Sequence, residues 1–342
     1  MSLTDDAASV TVTTPSDTEI VISRVFAAPR DRVFDALTIA ELLVRWHGAQ
    51  GWQLAVCEVD LRVGGRWRFV SRGPGGATMG TSGVYREVER PSRLVHTEVA
   101  DGADAGEAVV TTELAEEGGR TTLTATVRYP TRRARDVVIE SRMAGGVGES
   151  YDRLDRVLDE TAIADRYRKV AAQFTARVRA VPEGAWDNPS PCDGWVARDV
   201  VRHLVEWLPA FFVGRWGIEA PDGPAVDADP AGAWAALDAT IQAALDDPEV
   251  AGLERDTPMG SSTFARAIDM ICTGDVLVHT WDLARATGLN DTLDADEVHR
   301  MLAGIEPMDE PMRQSGHYGP RVDVPADAPE QDRLIAFTGR RP

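Results

Sequence analysis

The chain has 342 residues, a length typical of two domains, and its composition of 43% hydrophobic and 27% charged residues is that of a globular protein. Its formal net charge of -19 argues against a nucleic-acid or anionic-membrane binder, because both of those partners attract basic surfaces. We therefore favour a small-molecule partner, and the sequence leaves the oligomeric state open.

The apolar runs are too short for a membrane-spanning helix, and the N-terminal segment MSLTDDAASV lacks the basic and apolar regions of a signal peptide. The three cysteines, Cys57, Cys192 and Cys272, form no CxxC pair. This pattern predicts a cytoplasmic protein with reduced thiols.

The spacing of apolar residues divides the chain into two predicted domains, 1–160 and 161–342. Period-two segments typical of strands recur in the first, for example at 19–26 and 121–127. The second follows helical spacing, and the predicted helices are 163–180, 196–217, 231–246, 263–288 and 294–304.

The junction between the two predicted domains lacks the residues of a flexible linker. No glycine or proline lies between Gly148 and Pro182. We therefore expect the last helix of the first domain to run directly into the second domain, with the two held in a fixed relation.

The first domain carries an ordered series of short motifs over residues 18–160. They are Ala28-Pro29 with Val33-Phe34, Trp46, Asp60 with Gly64-Gly65, Gly83 with Glu87, and Gly148 with Leu154. The series resembles the SRPBCC or START-like superfamily, in the branch called activator of Hsp90 ATPase homologue-like. The resemblance implies an α+β helix-grip fold, in which an antiparallel sheet curls around a long C-terminal helix.

A sheet closed by one helix is not filled evenly by side chains, so a ligand pocket with an apolar lining is predicted. The candidate wall residues are Trp52, Trp67, Phe69, Tyr85, Val138, Met143 and Tyr151. The alternative is that each is an ordinary core residue, as large apolar side chains usually are. We interpret His47, which follows the first helical region, as a surface or capping residue, and this half offers no nucleophile-plus-base arrangement.

The second domain places metal-ligating residue types at helical spacing. Asp275 and His279 are four residues apart, one turn on one helix face, and His203 lies beside the apolar stripe of another predicted helix. Two ligands on one helix and a third from a facing helix would build a site for Zn or another first-row divalent ion. Three protein ligands leave a position open, as in catalytic sites. The alternative is that these buried groups only hydrogen-bond inside the bundle.

Neighbouring polar residues have two interpretations each. Asp282, close after His279, is either a carboxylate that orients the imidazole or a helix-surface carboxylate. Cys272 is either a fourth ligand or a small apolar residue of the core. The remaining candidates are interpreted as structural, core or surface residues: Cys192, Trp281, His299 and His317.

The segments PCDGWVARDVVRHL, GDVLVHTWDLARATG and LIAFTGRRP resemble the mycothiol-dependent maleylpyruvate isomerase N-terminal-like, metal-binding branch of the DinB superfamily, over residues 163–342. The resemblance implies an all-α four-helix bundle in which His203 and His279 are metal ligands. Asp275 matches a ligand that is often Glu in the thiol-dependent isomerases. Because those isomerases also use a further C-terminal domain, we do not expect maleylpyruvate itself as the substrate.

These features favour a metal-dependent, low-molecular-weight-thiol transferase or isomerase that acts on a small electrophile. Zn is the expected ion, mycothiol is the thiol implied by the resemblance, and the START-like pocket would hold an apolar molecule. The alternative is a non-enzymatic small-molecule-binding or stress-response protein with a structural or vestigial metal site. A co-chaperone activity rests on a family name alone, and fold does not give function.

Overall fold

A computed structural model describes residues 9–102, 106–141, 143–257, 260–314 and 319–342. The chain divides into two compact units, Met1–Thr161 and Ala162–Pro342. His317 and the side chain of Met143, both singled out above, lie outside the described part. No helix in the described part is long and apolar enough to cross a bilayer.

The first unit is built on an eight-stranded antiparallel sheet. Its strands are β1 (Thr11–Ser16), β2 (Glu19–Phe26), β3 (Gln53–Val59), β4 (Arg66–Arg72), β5 (Thr78–Glu89), β6 (Arg93–Ala100), β7 (Ala108–Glu117) and β8 (Arg120–Arg128). They lie in the order β1-β2-β8-β7-β6-β5-β4-β3. Along β2 every second side chain is buried, so one face of the strand lies on the core, as its period-two pattern predicts.

The α-helices that accompany the sheet in the described residues are α1 (Arg30–Thr38), α2 (Ala40–Trp46), α3 (Arg132–Glu140) and α4 (Met143–Ala180). The buried Arg24 of β2 joins the sheet to α4, because its guanidinium donates 2.6 Å to Asp152 and also bonds to Asp155. Leu154 of α4 is fully buried in the core of this unit. The predicted helix-grip fold is confirmed.

The second unit is mainly helical, as predicted. After α4 its helices are α5 (Ala197–Trp216), α6 (Pro230–Asp246), α7 (Pro248–Ala251), α8 (Phe264–Ala267), α9 (Thr273–Thr287), α10 (Ala295–Ile305), α11 (Asp309–Gln314) and α12 (Glu330–Phe337). Gly288, with φ +72°, ends α9 in the left-handed conformation that favours glycine.

The second unit also contains elements that the spacing did not predict. A hairpin pairs β9 (Glu254–Thr257) with β10 (Gly260–Thr263), and most of its residues are exposed. An exposed polar strand has no alternation of apolar residues to reveal it. The predicted helix 263–288 is one helical run in which a π-helical segment, Ile268–Cys272, joins α8 to α9.

Candidate metal centre

The structure brings together the three side chains singled out as metal ligands. One donor atom from each of His203 on α5 and Asp275 and His279 on α9 lies within 4.8 Å of the other two. His203 Nε2 is 3.2 Å from Asp275 Oδ2, and His279 Nε2 is 3.4 Å from Asp275 Oδ1. The two imidazoles thus lie on either side of one carboxylate.

Local sequence explains how α5 presents His203. The carboxylate of Asp199, at the third helical position, accepts 3.0 Å from the backbone N–H of Val196 and so caps the first turn. Val200 and Leu204, on either side of His203 in the sequence, are fully buried. His203 therefore lies at the border of the buried face, and its side chain keeps 30% exposure.

The helix α9 presents two ligands because Asp275 and His279 are one turn apart. Its start is irregular: the π-helical segment precedes it, and Thr273 Oγ1 donates 3.2 Å to the carbonyl of Ile268. Single π-turns inside helices are rare and occur frequently at functional sites, where they change the direction of the following residues. Here the irregular turn ends three residues before Asp275.

Asp282 holds the second ring nitrogen of His279. Its side chain is 0% exposed, and Oδ2 lies 2.8 Å from His279 Nδ1. A helix-surface location for Asp282 is therefore wrong, and the geometry is that of a carboxylate that orients an imidazole. With Nδ1 held in this way, Nε2 is the nitrogen of His279 that faces Asp275 and His203.

Arg340, which lies in the closing LIAFTGR segment, was not predicted as part of the site. Its Nε donates 2.7 Å to Asp282 Oδ1, and its Nη2 donates 2.7 Å to Asp282 Oδ2. A buried carboxylate requires a positive partner, so the arginine of this closing motif could have been examined as that partner.

Two tryptophans at the site were also missed. Trp207 Nε1 donates 2.9 Å to Asp275 Oδ2. Trp207 is one turn after His203 on α5, and this spacing was the available signal. Trp195 stacks on His279 with its ring centroid 5.9 Å away at an interplanar angle of 21°.

Charge coupling explains the protonation of the site. Burial raises the pKa of Asp275, but the charge of His279 and the hydrogen bond from His203 outweigh it and hold that pKa well below its usual range. Burial lowers the pKa of His279, but Asp275 and Asp282 outweigh it and raise that pKa well above its usual range. His279 is thus protonated and lies between two carboxylates. A bound cation would replace the proton on Nε2.

A second group of possible ligand atoms comes from Cys192, His279 and Asp282. Cys192 Sγ lies 3.4 Å from Asp282 Oδ2 and 3.3 Å from Arg340 Nη2. The guanidinium would repel a cation here, and Asp282 is already hydrogen-bonded. We therefore treat this group as a hydrogen-bond network and place the candidate metal site at His203, Asp275 and His279.

The residues of that site fit a divalent ion. Ligands about 2.0–2.1 Å from a tetrahedral ion lie roughly 3.3 Å from one another, close to the observed contacts of 3.2 and 3.4 Å. His203 and Asp275 keep 30% and 26% exposure, so the site is accessible from one side. Cys272 is fully buried and belongs to neither ligand group, so it is a small core residue here.

Two other candidates lie away from this site. The exposed His299 accepts or donates a 3.0 Å hydrogen bond with Glu330, as a surface group would. Trp281 is 2% exposed and belongs to the core of the second unit, with the guanidinium of Arg285 over its ring. Both interpretations are confirmed.

The candidate pocket residues of the first unit divide into three sets. Trp67, Tyr85 and Tyr151 are buried in its core, and Phe69 and Val138 pack against that core. Trp52 instead covers Gly73, where an added Cβ would lie 2.5 Å from the indole.

His47 is a capping residue, one of the two roles expected for it, and its side chain is partly buried rather than exposed. It is the C-cap residue of α2, but its ring contacts Trp46 and Phe69, with centroids 5.5 and 5.2 Å away.

Comparison with known proteins gives two family matches. The family model for Activator of Hsp90 ATPase homolog 1-like protein matches residues 27–159, and that for the Mycothiol maleylpyruvate isomerase N-terminal domain matches residues 167–212. The uncharacterized protein Rv0738 of Mycobacterium tuberculosis strain H37Rv is 30% identical over 185 residues, which cover 54% of this chain and 98% of the relative. The uncharacterized protein MT0763 of strain CDC 1551 matches equally.

Solved structures resemble part of the chain. A Rhodobacter sphaeroides protein is 37% identical, with a TM-score of 0.43, and the match covers 44% of this chain and 98% of that one. Protein NE0264 of Nitrosomonas europaea is 27% identical, with a TM-score of 0.39, over 43% of this chain and 99% of that one.

The fold and the candidate site define a protein class in which a helix-grip unit precedes a DinB-like helical unit. The chain belongs to the family of the mycobacterial protein Rv0738 and combines an activator of Hsp90 ATPase homolog 1-like domain with a mycothiol maleylpyruvate isomerase N-terminal domain.

Proposed function

We propose that the protein is a metal-dependent enzyme that transfers a low-molecular-weight thiol to a small electrophile or uses it to isomerise one. The observation that carries the proposal is the convergence of His203, Asp275 and His279 from two helices, with donor atoms within 4.8 Å. These three side chains would hold the ion, Zn being the best match to the donor set. When bound, such an ion lowers the pKa of a thiol or water and polarises a carbonyl.

The surrounding residues keep the candidate ligands in place. Asp282 accepts from His279 Nδ1 and leaves the lone pair of Nε2 directed at the site. Trp207 donates to one oxygen of Asp275 and restricts its rotation. A preorganised ligand set of this kind costs little rearrangement when an ion or a substrate arrives.

A groove of about 750 Å³ provides room for a thiol and an electrophile. Its lining residues are Trp207, Ala210, Phe211, Gly214, Arg215, Arg255 and Asp256. Trp207 belongs both to this wall and to the hydrogen bonds of Asp275, so groove and candidate site share a side chain. The aromatic rings suit an apolar substrate body, and the two arginines suit an anionic group.

The first domain supplies a second binding function. Domains of its family bind small hydrophobic ligands, and Trp67, Tyr85 and Tyr151 are the buried aromatic residues that would contact one here. We expect the ligand to be a substrate, or a molecule that is sheltered before reaction. A thiol co-substrate and unpaired cysteines both fit a cytoplasmic location.

The test begins with metal content. The purified chain should hold about one divalent ion, and His203→Ala and His279→Ala should each lose it. The matched control is His299→Ala, because His299 is exposed and, within the described residues, its ring bonds to Glu330. Retention of the ion in both site variants would contradict the proposed ligand set.

Activity is measured with mycothiol and monochlorobimane, a chloromethyl electrophile that becomes fluorescent on reaction. The thiol sulfur forms a bond to carbon, chloride leaves, and the thiol proton goes to solvent. Turnover should require the ion and disappear with a chelator. Absence of turnover across a panel of electrophiles, with the ion bound, would overturn the enzyme assignment.

A second candidate function is a ligand-binding protein in which the metal is structural. The buried aromatic residues of the first unit favour it. This candidate function predicts that a hydrophobic molecule stays bound during purification and that the ion has no coordination position open to solvent. The 30% exposure of His203 and the 26% exposure of Asp275 favour the enzyme instead, since structural metal sites are closed.

A further inference from the structure

The groove beside the candidate metal centre runs along one face of α5. Residues three and four apart on a helix share a face, and five residues with this spacing line the groove. They are Trp207, Ala210, Phe211, Gly214 and Arg215. His203 lies one turn before the first of them, so the groove leads from a candidate metal ligand toward the C-terminal end of the helix.

Ring contacts show that this face is continuous. The ring centroids of His203 and Trp207 are 6.0 Å apart, and those of Trp207 and Phe211 are 5.8 Å apart. Arg215 Cζ lies 5.6 Å from the centroid of Phe211. A helix rises 1.5 Å per residue, so twelve residues place the Cα atoms of His203 and Arg215 about 18 Å apart. Because the guanidinium leans back over Phe211, it lies about 12–18 Å from the metal site.

The hairpin that the sequence pattern did not reveal supplies part of the groove wall. Arg255 and Asp256 of β9 line the groove together with the residues of α5. Trp216 Nε1 donates 2.9 Å to the carbonyl of Leu253, the residue before β9. This bond ties the start of the hairpin to the end of α5, so the arginines of both elements lie at the same groove.

The two arginines of the groove have no carboxylate partner in the described part of the chain. Arg215 lies over the rings of Phe211 and Trp216, with its Cζ 5.6 and 5.9 Å from their centroids. Arg255 Nη1 donates 2.9 Å to the carbonyl of Glu254, a neutral acceptor. A guanidinium stacked on aromatic faces keeps its N–H edge free, and that edge matches a carboxylate.

The charge of the groove is opposite to that of the whole chain. Among the described residues that line it, Asp256 is the one carboxylate, and it forms no ion pair with Arg215 or Arg255. Two guanidinium groups therefore face one carboxylate, in a chain whose formal net charge is -19. Such a local excess of positive charge favours an anionic group at this end of the groove.

The middle of the groove is apolar and open. The rings of Trp207 and Phe211 are only partly buried, so an apolar chain laid over them would remove more of their surface from water. An added Cβ at Gly214 would meet no atom within 4 Å, so there is space above the helix at this position. The floor of the groove thus suits a chain that runs lengthwise along α5.

We propose that the electrophilic substrate is a linear, amphipathic anion with its reactive carbon at the metal site and its terminal carboxylate on Arg215 and Arg255. An extended chain advances about 3.5 Å for every three bonds, so the reactive carbon and the carboxylate are about ten to fifteen bonds apart. A short acid cannot reach both ends of the groove. The inference rests on the proposed function, because that function places the reaction at the metal site.

The first experiment measures turnover of three chloroacetamides with mycothiol and the purified full-length protein. The long acid is N-chloroacetyl-11-aminoundecanoate, the short acid is N-chloroacetylglycine, and the neutral probe is N-undecylchloroacetamide. In each reaction the thiol sulfur bonds to the chloromethyl carbon, the carbon–chlorine bond breaks, chloride leaves and the thiol proton goes to solvent. We expect the KM of the long acid to be about tenfold lower than that of either other probe. Equal KM values for the long acid and the neutral probe would overturn the proposal.

The double variant Arg215→Gln/Arg255→Gln tests the carboxylate end. It should raise the KM of the long acid about tenfold, because the charge-assisted hydrogen bonds are lost, and change that of the neutral probe by less than twofold. The control is Arg62→Gln, since Arg62 lies in the first unit with its side chain 71% exposed. An unchanged preference for the long acid in the double variant would show that these arginines do not bind the carboxylate.

Gly214→Leu tests the path of the chain. The new side chain fills the open space above α5 and should raise the KM of the long acid about tenfold, while the short acid changes by less than twofold. The matched control is Gly304→Leu, at an exposed helical glycine of α10 where an added Cβ also meets no atom within 4 Å. An unaltered KM in Gly214→Leu would show that the substrate does not lie along α5.

Calorimetry separates this inference from the proposed enzyme. N-acetyl-11-aminoundecanoate has no chlorine and cannot react, yet it should bind the full-length protein and bind about tenfold more weakly to the double arginine variant. Such binding without turnover of any electrophile would contradict the enzyme and support the groove. Turnover of monochlorobimane, with acid binding that neither the arginine substitutions nor Gly214→Leu alter, would overturn this inference alone.

Discussion

Arg340 and Asp282 form a two-pronged ion pair in the second unit, with Nε 2.7 Å from Oδ1 and Nη2 2.7 Å from Oδ2. Asp282 is 0% exposed, and the same Oδ2 also accepts from His279 Nδ1. Burial raises the pKa of Asp282, but His279 and Arg340 outweigh it and keep the carboxylate ionised. The arginine thus fixes the carboxylate that orients the imidazole of the candidate metal site.

Arg340→Met should destabilise the protein strongly. It removes the guanidinium that pairs with the buried charge of Asp282, and breaking one side of a buried ion pair costs about 3–5 kcal/mol. The free energy of unfolding in urea, measured on metal-free protein, tests this. Arg341→Met, at an exposed neighbouring arginine, is the control and should change it by less than about 0.5 kcal/mol. Equal effects of the two substitutions would show that the pair contributes no stability.

Asp282→Asn should weaken metal binding without removing a ligand. The amide keeps the shape of the side chain but loses the charge that holds His279 Nδ1–H, and loss of such a partner costs about 10–100-fold in affinity. Competition with a chromogenic chelator measures the change. Asp296→Asn, an exposed position on α10, should leave the affinity unaltered. An unchanged affinity in Asp282→Asn would mean that the ring is oriented by its packing alone.

Spacing along a helix predicted part of this site and could not predict the rest. Asp275 and His279 are one turn apart, so their common face follows from the sequence. Arg340 lies 58 residues after Asp282, and no periodicity connects the two. Its contact depends on how the chain returns to α9, which is a property of the tertiary fold.

The same distinction holds in the first unit. The strands and the helix-grip fold were predicted from the sequence, whereas the partly buried position of His47 was not. A histidine at the end of a helix is polar and is usually exposed. Here the ring lies between Trp46 and Phe69, which are brought together only when the sheet and α2 pack.

Trp207→Phe should lower metal affinity modestly, by about 3–10-fold, because Asp275 loses a neutral hydrogen-bond donor and gains freedom to rotate. An aromatic ring is kept at the position, but phenyl is smaller than indole, so the control must lose the same volume. Trp216→Phe is a matched control on the same helix, since its Nε1 donates 2.9 Å to a backbone carbonyl, that of Leu253, away from the site. We expect Trp216→Phe to lower the free energy of unfolding slightly and to leave metal affinity intact. A loss of metal affinity in Trp216→Phe but not in Trp207→Phe would show that Trp207 does not support the site.

The buried imidazoles of the first unit should make stability depend on pH. In the folded chain burial lowers the pKa of His47 and His96 from 6.5 to about 4, with the charge of Arg153 contributing at His47. The unfolded chain therefore binds more protons between these values, so stability is complete above about pH 6.5 and is lost as the pH falls toward 4.

Histidine-selective NMR of the full-length protein measures this directly. The two imidazole signals, assigned with His47→Phe and His96→Phe, should show the neutral form down to about pH 5. Replacing both residues should flatten the loss of unfolding free energy between pH 6.5 and 5, whereas His299→Phe, at an exposed site, should not. Titration of both signals near 6.5 would show that the rings are open to solvent and do not make stability depend on pH.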